Sequence, residues 1–155
     1  MLKVLVIMLG CFSSFTAIAN DDWRKTAPIN KKVDNLIKVM PGASNLMLQM
    51  GERYRNLYWA GKQAKWDFAA YQVEEMQDLI ETLIITRPKR SGSAKEFLQK
   101  GFTKFPKAIE SKDWQQFTVA YDYMREQCMD CHVKNDHAFI LLPGQPQKGN
   151  SPVLD

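Results

Sequence analysis

Residues 114–132 read WQQFTVAYDYMREQCMDCH, and this run decides the fold. Trp114, Phe117, Tyr121 and Met124 recur at three- and four-residue steps, and Cys128 takes the next i+4 step on the same stripe. That period is helical, so both cysteines of the closing Cys128-Met129-Asp130-Cys131-His132 face the interior of whatever the helix packs against. A C-x-x-C-H run is the attachment signature of c-type haem. Thiols three residues apart lie on one helical turn and can bond two vinyl groups along one haem edge. The next residue, His132, can then ligate iron as the proximal ligand. Other chemistries of these residues are a redox dithiol and a zinc site. The dithiol lacks the strand-then-helix context of a thioredoxin-like motif. Zinc would need Cys128, Cys131, His132 and His137 together, a cramped set because His132 directly follows Cys131.

Working outward, the same period returns three more times. Ser44 is placed to cap a helix reaching about Gln63, with Leu46, Met47, Met50, Tyr54, Leu57, Tyr58 and Gly61 on its apolar face. A second helix is expected from about Lys65 to Thr86, on a stripe of Trp66, Ala69, Val73, Met76, Ile80 and Leu83, ended by Arg87-Pro88. Residues 88–93 read as an exposed basic loop. A third helix runs from about Ala94 towards Glu110, and Pro106 should kink or split it after Phe105. Ser111 or Asp113 caps the fourth, which should fray by Asn135-Asp136. A shorter helix over residues 34–40 stops before Pro41-Gly42. No strand pattern competes, so the expected fold is all-α.

The chain has 155 residues, enough for one domain. Met1-Leu2-Lys3, an apolar run from Val4 to Phe15 and the small-x-small site Ala17-Ile18-Ala19 read as a signal peptide over residues 1–19, with the mature chain starting at Asn20. The run is too short for a permanent membrane span. Met8-Leu9-Gly10-Cys11 is an imperfect lipobox, the alternative for this segment. Export agrees with the motif, since c-type haem is attached after export, and points to the periplasm. Cleavage removes Cys11 and leaves only Cys128 and Cys131. It also removes Lys3, leaving 20 basic against 17 acidic side chains, a net charge of +3. No basic run with interleaved aromatics speaks for nucleic acid. The expected organisation is a signal peptide (1–19), a bundle domain (20–142) and a Pro/Gly-rich tail (143–155) that is extended or mobile.

Four amphipathic helices with the C-x-x-C-H run near the end of the last one resemble the class II c-type cytochromes, the cytochrome c′ group, over about Ser44 to His132. The resemblance implies an antiparallel four-helix bundle with haem c inside it near the C-terminal end of helix four. It implies thioethers at Cys128 and Cys131, His132 as proximal ligand, and helix one lining the opposite haem face. The residues 133–155 depart from the group, whose chains usually end soon after the motif. They are expected to cover the haem edge or its proximal face.

Function then turns on the sixth iron position. A Met thioether there suits electron transfer, and an apolar residue leaves iron open to a diatomic gas. Met47 and Met50 both lie on the inward face, with Met50 deeper in the stripe; Met76 and Met40 rank behind them. Met on such a face is as a rule core filling. His137, five residues beyond His132, should stay on the proximal side. Arg53 and Lys62 are candidates for pairing haem propionates, or belong to a solvated face. Trp59, Trp66 and Trp114 read as packing aromatics. The expectation is an exported monohaem carrier passing single electrons between redox partner proteins, not an enzyme, since helices one and two offer no distal His with an acid–base partner. The alternative is a five-coordinate protein binding nitric oxide or carbon monoxide. Tyr54, Tyr58 and Trp59 leave room for a homodimer.

Overall fold

A computed structural model describes residues 22–151, 153 and 154. The expected signal peptide, its cleavage site and Cys11 lie outside the described residues. Among the described residues every regular element is helical, and the chain divides into two units at Val39/Met40.

The first unit holds α1 (Trp23–Thr26) and α2 (Ile29–Val39). The Asp22 carboxylate caps α1 by accepting the Arg24 backbone N–H at 3.2 Å. The short turn of α1 carries no period for a sequence to show, and α2 begins right after Pro28, earlier than residue 34. A proline ahead of the first turn costs no hydrogen bond there.

The second unit begins with α3 (Ala43–Lys62) and α4 (Trp66–Thr86). Gly42, in extended conformation, is the N-cap of α3, and no side chain bonds the helix end; Ser44 sits inside the first turn. Residues 63–65 alone connect α3 to α4. Ala64 adopts φ 54°, its N–H bonds the Gly61 carbonyl at 3.1 Å and the Lys65 N–H reaches Ala60 at 2.8 Å. This paired closure is a Schellman motif, which ordinarily recruits glycine at the left-handed position.

A single 3-10 turn (Pro88–Arg90) leads directly into α5 (Ser91–Gly101), so the expected basic loop is largely helical. The break near Pro106 falls earlier than expected, between α5 and α6 (Phe105–Glu110), with Pro106 in the first turn of α6. Proline is tolerated there because the N–H it lacks would have no partner in any case. Finally α7 (Trp114–Lys134) starts at Asp113, whose carboxylate accepts the Gln116 N–H at 2.8 Å.

Helix α3 packs on α4, α4 on α5, α5 on α7, and α7 returns to α3; α6 is wedged against α4 and α7. The buried residues are those of the sequence stripes: Leu46, Met50, Tyr54 and Leu57 from α3, Met76, Ile80 and Leu83 from α4, Phe97 from α5, and Phe117, Tyr121 and Met124 from α7. Gly61 of α3 lies directly against the ring of Phe117 from α7, with no room for a Cβ. Trp66, Phe105 and Trp114 box that ring in, with centroids 5.6–5.9 Å away.

Past α7 the chain doubles back. Asp136 is left-handed (φ 63°), its N–H bonds Val133 at 3.2 Å, and the His137 N–H bonds the His132 carbonyl at 2.8 Å, a second Schellman closure. Among its described residues the tail forms no helix or strand and is fastened along α3. The Tyr54 hydroxyl donates to the Pro143 carbonyl, the Trp59 indole to Pro146 at 3.0 Å, the Gln63 amide to Leu154 at 2.9 Å and the Lys65 ammonium to Val153. Leu154 is 1% exposed. The aromatics that left room for a homodimer are thus engaged within the chain.

Candidate cofactor site

Helical periodicity brings Cys128, Cys131 and His132 to the wall of one apolar cavity of about 230 Å³. Met47, Met50, Gly51 and Tyr54 of α3, Met76, Ile80 and Leu83 of α4, and Phe97 of α5 line it with them, and Ile140 and Leu142 of the returning tail complete it. A second, more polar chamber of about 400 Å³ shares Met47, Leu83, Cys131, His132 and Ile140 with the first. Its further lining includes Arg87, Arg90, Ser93, Asn135 and His137. Together they fall in the range of roughly 300–1,000 Å³ typical of ligand pockets.

His132 is held from outside the motif. Its Nδ1 lies 3.1 Å from the Ile140 carbonyl. A carbonyl only accepts, so Nδ1 is the donor, and in the neutral ring the lone pair then lies on Nε2, the arrangement that orients a metal-ligating imidazole. The Schellman turn at Asp136 makes this contact, because it reverses the chain after one helical end. Asn135 adds a clamp: its amide donates to the Cys131 carbonyl and to the Ser93 hydroxyl, both at 2.7 Å, tying the end of α7 to α5.

The thiols are shielded rather than activated. Cys128 is half-buried by area only because it faces the cavity, and desolvation pushes its thiol well up from the ordinary value. Desolvation also raises Cys131, opposed by the Ser93 hydroxyl. A redox dithiol depends on the opposite shift. Among the described residues no three His, Cys, Asp or Glu side chains gather as metal ligands, so the zinc tetrad is not assembled. Haem needs none, since its ring supplies four of the iron ligands. Burial also pushes the Tyr54 hydroxyl up to about 12, so at neutral pH it is a neutral donor committed to Pro143.

Of the methionines weighed from sequence, Met47, Met50 and Met76 all reach the cavity, and Met40 lines neither chamber. His137 stays at the α7 end, its ring stacked on Phe139 at 5.7 Å and its Nδ1 against the Asn135 carbonyl. Arg53 is engaged elsewhere, bonded to Glu75 at 2.8 Å, and Lys62 lies over the Trp114 ring. Trp59, Trp66 and Trp114 pack among other rings and line neither chamber.

The cations at the site are Arg87, which sequence reasoning placed at the end of the second helix, and Arg90, which it placed in an exposed loop. Among the described residues neither pairs with a carboxylate; Arg87 donates to the carbonyls of Met40 and Thr86. Their visible signal was Arg87-Pro88-Lys89-Arg90, basic residues at a helix break. Gly51 is the other residue missed. It sits mid-helix, where glycine costs about 0.5–1 kcal/mol against alanine, and a Cβ there would meet nothing within 4 Å. Two thiols, an imidazole, a largely apolar lining and two guanidiniums without a carboxylate partner among the described residues could accommodate a large apolar group with anionic substituents. No family model, curated protein or solved structure matches this chain, so the site's own geometry carries the functional conclusion.

Proposed function

We propose that this chain is an exported, periplasmic monohaem c-type cytochrome that passes single electrons between redox partner proteins. The observation that carries the proposal is the opening of Cys128, Cys131 and His132 onto one apolar cavity whose far wall is Met47, Met50 and Gly51 of α3. Its architecture is an antiparallel four-helix bundle of α3, α4, α5 and α7, supported by the three-residue connection at 63–65, which favours antiparallel neighbours.

Bound in the cavity, haem c supplies one-electron chemistry at its iron. The chain's own residues hold and seclude it. Cys128 and Cys131 are the thioether positions. His132, oriented by the Ile140 carbonyl, would offer Nε2 to the iron, and Met50 would be the leading thioether donor to it. Arg87 and Arg90 would neutralise the cofactor's carboxylates, while Leu83, Ile80, Phe97 and Leu142 would exclude water. No residue of the site makes or breaks substrate bonds.

The test is the absorption spectrum of protein matured with its haem, ferric and ferrous, with and without carbon monoxide. Covalent haem, a low-spin spectrum, a thioether-to-iron charge-transfer band and indifference to carbon monoxide are expected. Failure to carry covalent haem refutes the proposal. A second reading, a five-coordinate gas-binding protein, is favoured by the open space beside Gly51. A high-spin ferric spectrum and a carbon monoxide shift would select it.

A further inference from the structure

Helix α2, INKKVDNLIKV, has an apolar face without a partner in its own unit. Ile29, Val33, Leu36 and Ile37 fall within about 100° of one another around the axis at 100° per residue. They are 76, 44, 55 and 56% exposed. Lys31 and Lys38 fall on the opposite side and Lys32 on the flank, against one acid, Asp34. Ahead of α2, Asp22 is paired with Arg24, so Lys25 adds a further uncompensated charge. Among the described residues no helix is long and apolar enough to cross a membrane.

We infer that α2 lies on an anionic lipid surface, with Ile29, Val33, Leu36 and Ile37 entering the headgroup boundary. An amphipathic helix with lysines on its polar face is the form that lies in such an interface. The lysines are what commit the face to lipid headgroups: a helix diameter of about 10 Å keeps even Lys31 and Lys38 near one Debye length of the surface. Lys32, beside the apolar stripe, can extend its stem along it and place its ammonium among the phosphates.

The protein isolated after export, its start read by intact mass, is mixed with vesicles of phosphatidylglycerol and phosphatidylcholine, or of phosphatidylcholine alone, and sedimented. Binding to the anionic vesicles only, weakening with salt, is expected. Lys31→Gln with Lys32→Gln should weaken it about fourfold to twenty-five-fold, from about twofold to fivefold per lysine. Leu36→Glu with Ile37→Glu should abolish it while leaving the haem spectrum and thermal midpoint unchanged, which separates loss of docking from loss of folding. Equal binding to neutral vesicles overturns the inference, as does binding indifferent to Leu36→Glu, which would belong to another segment. A dimer that Leu36→Glu dissociates, with no vesicle binding, assigns the face to a second copy and overturns it too.

Discussion

Two glycines ten residues apart in α3 should respond to the same substitution with opposite signs. At Gly61 an added Cβ would lie 2.5 and 2.7 Å from Cδ1 and Cζ of Phe117, and closer still to Cε1. Carbon atoms pack at about 3.5–4.0 Å, so the ring or the helix must yield by about 1 Å. Phe117 is fully buried and boxed by three rings, which leaves it no rotamer to move into. Overpacking of this kind costs about 1–3 kcal/mol. Alanine's helix preference returns about 0.5–1 kcal/mol. Gly61→Ala should therefore lose about 0.5–2 kcal/mol, a fall in Tm of about 2–8 °C. At Gly51 no atom lies within 4 Å of the added methyl, so in haem-free chain only the helix preference remains and Tm should rise by about 2–4 °C. Thermal unfolding followed by circular dichroism reads both. If haem fills the cavity, the Gly51→Ala gain should shrink or reverse in the loaded protein. An unchanged Tm for Gly61→Ala refutes the packing; the same gain at Gly51 with and without haem refutes the placement of the cofactor.

Further outcomes are expected elsewhere. Met50→Ala should remove the thioether-to-iron band and convert ferric iron to high spin, whereas Met47→Ala should leave both in place; visible and near-infrared spectra decide. Ala64→Gly should raise stability by about 1 kcal/mol in a denaturant titration, because alanine bears the left-handed conformation there at a steric cost. Glu96 is held down to about 2 by hydrogen bonds from Lys100 and Lys134. Its depressed value means the α5–α7 tie is fully present above the ordinary 4.5 and is lost as pH falls towards 2. An acid titration should therefore show loosening in that window, and Glu96→Gln should flatten it. Tyr54, raised to about 12 by burial, supports the fold below pH 10 and ceases to as pH rises through 12. Tyr54→Phe should remove one late-titrating phenol from the ultraviolet titration.

The helices of the second unit were legible because burial repeats at 3.6 residues and side chains alone decide it. Met124 and Cys128 share a face by arithmetic, so the cavity wall could be read before any coordinates. What escaped was chiefly backbone. Ile140 orients His132 through a carbonyl, Pro143, Pro146, Val153 and Leu154 fasten the tail through carbonyls, and every residue owns one. The left-handed turns at Ala64 and Asp136 escaped because neither uses the glycine that announces such a turn. Gly42, rather than Ser44, begins α3, and a glycine cap leaves no side-chain hydroxyl to look for. Arg87 and Arg90 escaped for a different reason. A long cationic side chain beside a helix break reads as solvated unless the cavity beneath it is known.

The tail bonds to Tyr54, Trp59 and Gln63 join residues 87–91 positions apart. Closing a free loop of that length costs about 4 kcal/mol of chain entropy. The cost falls once α7 has docked on α3, since most of the loop is then already closed. The segment that walls the cavity at Ile140 and Leu142 is therefore the last to settle in folding and the first to open. Exchange of its amide hydrogens should report local opening well below the global unfolding free energy. If the chain takes up haem as proposed, the rate of entry should follow the opening of this wall at Ile140 and Leu142 and not any breach of the helices.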